Sequence, residues 1–292
     1  MRQRAVRNLA KLDTTQARIT RILDAAAGGK NNFLADKDMV RHFDQAAPAI
    51  TTAARAVLQY LSRVVRHLAA EGVAQFMIVG GGVSCGLSAG RRLHDIARHT
   101  STSPALRVLY VENDPMAVTM AQATIEPFTP MVRVVDGDVR EIDDILHDRV
   151  VQTFLDWDSP LAVLLLSTHS LDDDEYAHYV IKRLRHAAPN GSFLGLLHTT
   201  FDGIPAELLP AVRGVLSMTL PGLAIRSRDE VGALLDGLDL VEPGLVWVPQ
   251  WRPAERDLAC GDEPSSSGNY GAVARLPRDR PPEIGPQRPA AG

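Results

Sequence analysis

Three short stretches hold the residues whose types and spacing could do chemistry. "FMIVGGGVSCG", residues 76–86, is an apolar run that ends in Gly80, Gly81 and Gly82. Glycines without a Cβ allow a tight turn and let a ligand approach the backbone. "YVENDP" puts Glu112 after the next apolar run, where a carboxylate can accept both hydroxyls of a ribose. "DGDVRE" puts Asp138 after a third run as an acceptor for an adenine amino group, with the backbone N–H of Val139 beside it. Asn113, next to Glu112, and Ser167, after a fourth run, complete the expected cofactor set. Each feature alone has a plainer reading. A glycine turn can be mere tight packing, and "NDP" would cap a helix with Pro115 at its first position. The three in register along one α/β pattern read as an adenosine site.

A nicotinamide cofactor fits this site poorly. Its pyrophosphate binds at a helix N-terminus through G-x-G-x-x-G, with an acid about 20 residues further on. Here Cys85 stands at the third glycine, and Glu112 lies beyond that spacing. Adenosine without phosphate points to S-adenosylmethionine. Methyl transfer from a sulfonium is an in-line displacement that alignment accelerates, and a base assists when the acceptor carries a proton. His169 in "STHS" is the expected general base, with a loop histidine bound to backbone as the equal alternative. His198 in "LLHTT" is a weaker candidate, grouped with the substrate-facing residues. Cys85 has no basic sequence neighbour to activate it as a nucleophile. The acids from Asp172 to Glu175 read as the charged start of a helix.

These residues need a parallel sheet to bring them together, because ligands bind at the carboxyl ends of its strands. Candidate strands cover 75–80, 106–111, 132–135, 161–166 and 192–197, with helical candidates at 86–99, 115–125, 141–155 and 173–188 between them. Near-continuous apolar strands alternating with helices imply βαβ units covered on both faces. Two later runs, 238–251 and 270–276, suggest an antiparallel hairpin at the sheet edge. The first third is helical, with Val57, Leu58, Leu61, Val64, Val65 and Leu68 on one stripe between Pro48 and Gly72. The expected fold is therefore a Rossmann-like doubly wound α/β sheet, mostly parallel, with a C-terminal antiparallel hairpin and an N-terminal helical segment. Residues 1–72 form the helical lid or cap, 73–276 the cofactor-binding domain, and 277–292 a disordered proline-rich tail.

Composition narrows the partners. The 292 residues carry a net charge of -4, which argues against nucleic acid or an anionic membrane. The longest apolar run, Leu161 to Leu166, is too short to span a bilayer, and the basic start has no signal-peptide core behind it. Cys85 and Cys260 make neither a disulfide framework nor a C-x-x-C metal site. A cytoplasmic protein without a metal is expected; its oligomeric state is not readable. Walls for the acceptor come from the N-terminal helices and from the apolar segment holding Leu208, Leu209, Val212, Leu216 and Met218. They favour a small aromatic or amino-acid-derived secondary metabolite.

"ARITRILDAAAGGKNNFLADK", "QFMIVGGGVS", "VLYVENDPMAV" and "GLDLVEPGLVWVPQWRP" together resemble an actinobacterial family of S-adenosylmethionine-dependent methyltransferases, long catalogued as a domain of unknown function. The resemblance covers roughly residues 15–276. It implies that Gly80 and Gly82 border the methionine part of the cofactor, that Glu112 holds the ribose and that Asp138 lies by the adenine. The stretch from Gly28 to Phe33, with Lys30 and Asn32, would form part of a lid. The chain departs from the family where an acid usually precedes the glycines, since Ile78 stands there, and where Leu23 and Ala25 replace aromatic residues. Two other readings follow: a non-catalytic adenosyl-ligand-binding regulator on the same fold, and a nicotinamide-dependent oxidoreductase.

Overall fold

The apolar runs become strands because their side chains are buried on both sides. The computed structural model describes residues 13–46, 50–82, 92–219, 222–255, 257 and 259–276. Cys85, Pro48 and the segment from Pro277 onward lie outside the described residues. Strands β1 (Gln75–Val79), β2 (Arg107–Glu112), β3 (Val132–Asp136), β4 (Ala162–Leu165) and β5 (Phe193–Thr199) are parallel. Along β1, Phe76 and Ile78 face one apolar cluster while Met77 and Val79 face the other.

Three short late strands complete the sheet: β6 (Asp239–Leu240), β7 (Val246–Trp247) and β8 (Asn269–Arg275). The order is β3-β2-β1-β4-β5-β8-β6, with β7 also paired to β8. The expected antiparallel C-terminal element is present, but its later strand is the inner one: β8 pairs with β5 on one side and with β6 and β7 on the other. The run 238–251 is not one strand, because a turn closed by Gly244 N–H to Val241 O splits it.

Ten helices are described: α1 (Ile19–Ala26), α2 (Leu34–Ala46), α3 (Ile50–Ala70), α4 (Leu93–Thr100), α5 (Pro115–Thr124), α6 (Ile142–His147), α7 (Arg149–Phe154), α8 (Asp174–Ala187), α9 (Leu209–Thr219) and α10 (Arg228–Leu234). The predicted helix over 141–155 is two short ones, because Asp148 leaves the helical region and accepts from the N–H of Val150 as a new cap. The α3 stripe is buried against the sheet, each Val or Leu contributing roughly 1.5–3 kcal/mol. It ends where Gly72, at φ 91°, donates to Ala69 O and Val73 donates to Leu68 O, the paired bonds that satisfy a helix C-terminus. Helices α1, α2 and α9 share a small cluster of Ile22, Phe43 and Val215. Among the described residues no helix is long and apolar enough to cross a membrane.

Candidate functional site

Chain order reverses at β1, which lies between β2 and β4, and the predicted residues gather at the carboxyl ends around that point. The turn after β1 begins with Gly80, at φ 84°, whose N–H donates to Val111 O. A Cβ on Gly80 would fall 2.0 Å from Ser167 Oγ and 2.1 Å from its Cβ, so this position requires glycine twice over, by conformation and by space. Ser167 Oγ is buried without a hydrogen-bond partner among the described residues and faces that cradle. Gly82 has Ile78 beneath it: the residue that stands in place of the family's acid is 1% exposed and packed in the core.

Glu112, at the end of β2, is 1% exposed. Its Oε1 accepts from the N–H groups of Asn113 (3.0 Å) and Asp114 (3.1 Å), and its Oε2 from the Thr20 hydroxyl on α1 (3.3 Å). Burial pushes this carboxyl up to about 7, against the opposing pull of the Asp114 N–H. Next to it, Asp114 caps α5 by accepting from the Met116 N–H, with Pro115 at the first helical position. The buried Arg21 of α1 bridges Asp114 (3.3 Å) and Asp36 (3.4 Å). Thr20 and Arg21 thus lay α1 directly over the β2 end. No motif distinguished either residue in the sequence; their only signal was the polar face of a helix whose apolar face carries Ile19, Ile22 and Leu23.

Asp138 follows β3, half-buried, and caps a turn by accepting from the Arg140 N–H. Burial opposes its ionisation, yet hydrogen bonds from Arg140 and Asn113 bring it down to about 2, an anion at neutral pH. In the folded chain Asp138 is thus a turn cap. Val139, next in the chain, is buried.

An apolar cavity with about 1390 Å³ of empty space, mouth included, opens from this edge. Its floor is Gly80 to Gly82 with Leu166; α1 contributes Ile19, Ile22 and Leu23, and α3 contributes Ala54, Val57 and Leu61. Val212 and Leu216 of α9 line it as expected, joined by Phe201 and Ile204, whereas Leu208 and Leu209 do not. The Met218 side chain lies outside the described residues. His169 lines the cavity, and burial holds its ring down to about 4.

His198 is elsewhere. Leu197 and Thr199 of β5 face the cavity, so strand alternation turns His198 to the opposite side, fully buried. Its Nδ1 lies 2.7 Å from Thr168 Oγ1, whose single proton goes to Leu197 O at 2.6 Å. Nδ1 therefore carries the ring hydrogen and Nε2 is bare; burial and the nearby Arg226 hold the ring down to about 3. The 28–33 stretch does not line the cavity either. Asn32 donates to Asp24 (2.7 Å), the Phe33 N–H donates to Asp36 (2.8 Å), the Phe33 ring lies under Arg21, and Lys30 is exposed. These contacts brace the joint between α1 and α2.

The residues present fit an adenosyl group. Glu112 Oε2 keeps acceptor capacity beyond Thr20, Ser167 Oγ is unpartnered, and the Gly80 cradle is one that a Cβ would fill. Among the described residues no cluster of metal-ligating side chains occurs.

A family model described as S-adenosyl methyltransferase matches residues 5–277. The fold is similar to a DUF574 family protein of Streptomyces avermitilis MA-4680, at 32% identity over 91% of this chain and 99% of that one, with a TM-score of 0.80. It is similar, too, to a candidate methyltransferase of Thermobifida fusca YX, at 28% identity over 91% and 97% of the two chains, with a TM-score of 0.79. A comparison with curated proteins finds no match.

Proposed function

Because the chain belongs to the S-adenosyl methyltransferase family, we propose that it methylates a small aromatic or amino-acid-derived acceptor held in the apolar cavity beside the glycine turn. The observation that carries this reading is the continuity of the cavity floor, Gly80 to Gly82, with the carboxyl ends that hold Glu112 and Ser167. S-adenosylmethionine supplies an electrophilic methyl on a sulfonium. Glu112 would accept from the ribose hydroxyls, and Asp138 with the Val139 N–H would meet the adenine edge. Gly80 and Gly82 would leave room for the methionine part, with Ser167 Oγ beside it.

The chain's own contribution to rate is positional. Helices α1, α3 and α9 exclude water and hold the acceptor, which accounts for most of what an in-line displacement needs. His169, neutral at pH 7, faces the same space and can take the acceptor's proton. Calorimetric titration with S-adenosylhomocysteine, with NAD⁺ as control, tests the cofactor assignment. Binding of the adenosyl ligand alone, weakened at least tenfold by Glu112→Ala, is expected on the roughly 1.4 kcal/mol of one lost charged hydrogen bond. Equal binding by the variant would remove Glu112 from the site.

A further inference from the structure

We infer that the acceptor is an uncharged, largely apolar molecule methylated on a hydroxyl that faces His169, an inference that rests on the methyl-transfer reading above. Two observations carry it. First, none of the described side chains lining the cavity is Asp, Glu, Lys or Arg. Among the described residues the buried ionic groups behind this lining are engaged, Arg21 with Asp36 and Asp114 and Arg226 with Asp174 and Leu171 O, while Glu112 is held for the cofactor's ribose in the reading above. Beyond the cofactor's own charged atoms, an ionic group entering this space loses water and finds no counter-charge among the described side chains that line it, so an uncharged acceptor is favoured. An amino-acid-derived acceptor would need both its ionic groups masked.

Second, among the described residues His169 is the base of the polar wall whose ring makes no hydrogen bond, while the hydroxyls around it are already engaged. Thr199 Oγ1 donates to Asn269 (3.1 Å), Ser266 Oγ to Glu263 O (2.7 Å) and Ser267 Oγ to Pro264 O (2.7 Å). Thr200 Oγ1 accepts from the Asp202 N–H at 3.1 Å. Among the described residues the His169 ring has no hydrogen-bond partner, and its neutral form presents one bare nitrogen. A hydroxyl supplies the donor that this nitrogen lacks. In the reaction a hydroxyl lone pair forms the O–CH₃ bond, the C–S bond breaks with its electron pair left on sulfur, and the hydroxyl proton passes to His169. The oxygen becomes strongly acidic as it is alkylated, so a weak base suffices.

The test is calorimetry on the full chain saturated with S-adenosylhomocysteine, using 2-naphthol, 2-naphthoic acid and 2-naphthylmethylamine as shape-matched probes at pH 7.5. The neutral naphthol should bind at least tenfold more tightly than either ion, and more tightly than naphthalene. His169→Phe and His169→Gln provide the second readout: both should still bind S-adenosylhomocysteine, and His169→Phe should lose the preference for naphthol over naphthalene. Binding of the acid or the amine as tightly as the naphthol would overturn the inference, as would no naphthol binding to a loaded protein or an unchanged preference in His169→Phe. Failure to bind S-adenosylhomocysteine at all would overturn the methyl-transfer reading itself, and this inference with it.

Discussion

The Thr20 hydroxyl lies 3.3 Å from one carboxylate oxygen of Glu112 and 3.4 Å from the other, joining α1 to the end of β2 across the mouth of the site. A buried carboxyl whose non-backbone donor comes from a separate helix couples ionisation to the seating of that helix.

The first prediction is a pH dependence of stability. Glu112 titrates near 7 in the folded chain and near its ordinary 4.5 when unfolded. Between these values the folded state holds a proton that the unfolded chain gives up. Its contribution to stability is therefore fully present below about 4.5 and is lost as pH rises through about 7, with a total change on the order of 3 kcal/mol. Urea denaturation from pH 4.5 to 8 should show this slope in the wild type and lack it in Glu112→Gln. Thr20→Val, which removes a donor to the ionised form, should move the transition to higher pH. Parallel curves for wild type and Glu112→Gln would refute the assignment.

The same carboxyl should link cofactor binding to pH. Ribose hydroxyls donate to the ionised form, so binding should lower the carboxyl's titration point and release a proton near pH 7. Affinity for S-adenosylhomocysteine is expected to rise roughly tenfold for each unit by which binding lowers that point, measured from pH 6 to 8. The calorimetric heat should also depend on the buffer's ionisation enthalpy. In Glu112→Gln both dependences should vanish.

Arg21 provides a test of how the N-terminal layer is held. Its guanidinium is 1% exposed between Asp36 and Asp114, so Arg21→Met would leave two buried carboxylates without their cation. Removing one partner of a buried ion pair costs about 3–5 kcal/mol. The loss should concentrate in α1 and α2, and limited proteolysis should cut within residues 13–46 well before the sheet. Pairing Arg21→Met with Asp36→Leu should recover part of the loss, since it removes one stranded charge.

At the glycine turn, Gly80→Ala should abolish S-adenosylhomocysteine binding, because the new Cβ would overlap the Ser167 side chain at 2.0 Å. Adding Ser167→Gly removes that overlap but not the φ of 84°, which still costs roughly 1–2 kcal/mol in a residue with a Cβ. The double variant should fold and bind weakly. Full recovery would show that space alone, and not backbone conformation, fixes this glycine.

How far the site was legible in the sequence follows from what kind of contact made each part. Gly80, Glu112 and Asp138 could be placed because a parallel sheet puts every strand's carboxyl end on one edge, and apolar runs locate those ends. Ile78 stood out only against the resembled family, which usually has an acid there. Thr20 and Arg21 could not be placed, since the angle of α1 is set by its packing with α2 and α9 and by ion pairs to residues far along the chain. His198 stayed in the substrate-facing set, though ranked below His169, because it sits at the end of an apolar run; alternation puts it opposite Leu197, but a sheet covered on both faces does not reveal which face bears a cavity. The break at Asp148 was hidden because the apolar spacing of α6 continues into α7.

The last prediction concerns the base. Burial holds the His169 ring near 4, so it is neutral and able to accept a proton at any pH above that value. Acidification inactivates a base by protonating it, which means that the acid limb attributable to His169 should lie near 4, far below the usual histidine value of 6.5. Any limb seen near 7 should instead follow Glu112 and disappear in Glu112→Gln. With a hydroxyl acceptor such as 2-naphthol, His169→Gln should lower kcat by about 10²–10⁴-fold. Its KM should change much less, because proton transfer matters in the transition state more than in the bound ground state. A KM effect alone, with kcat preserved, would make His169 a binding residue and leave the proton to solvent.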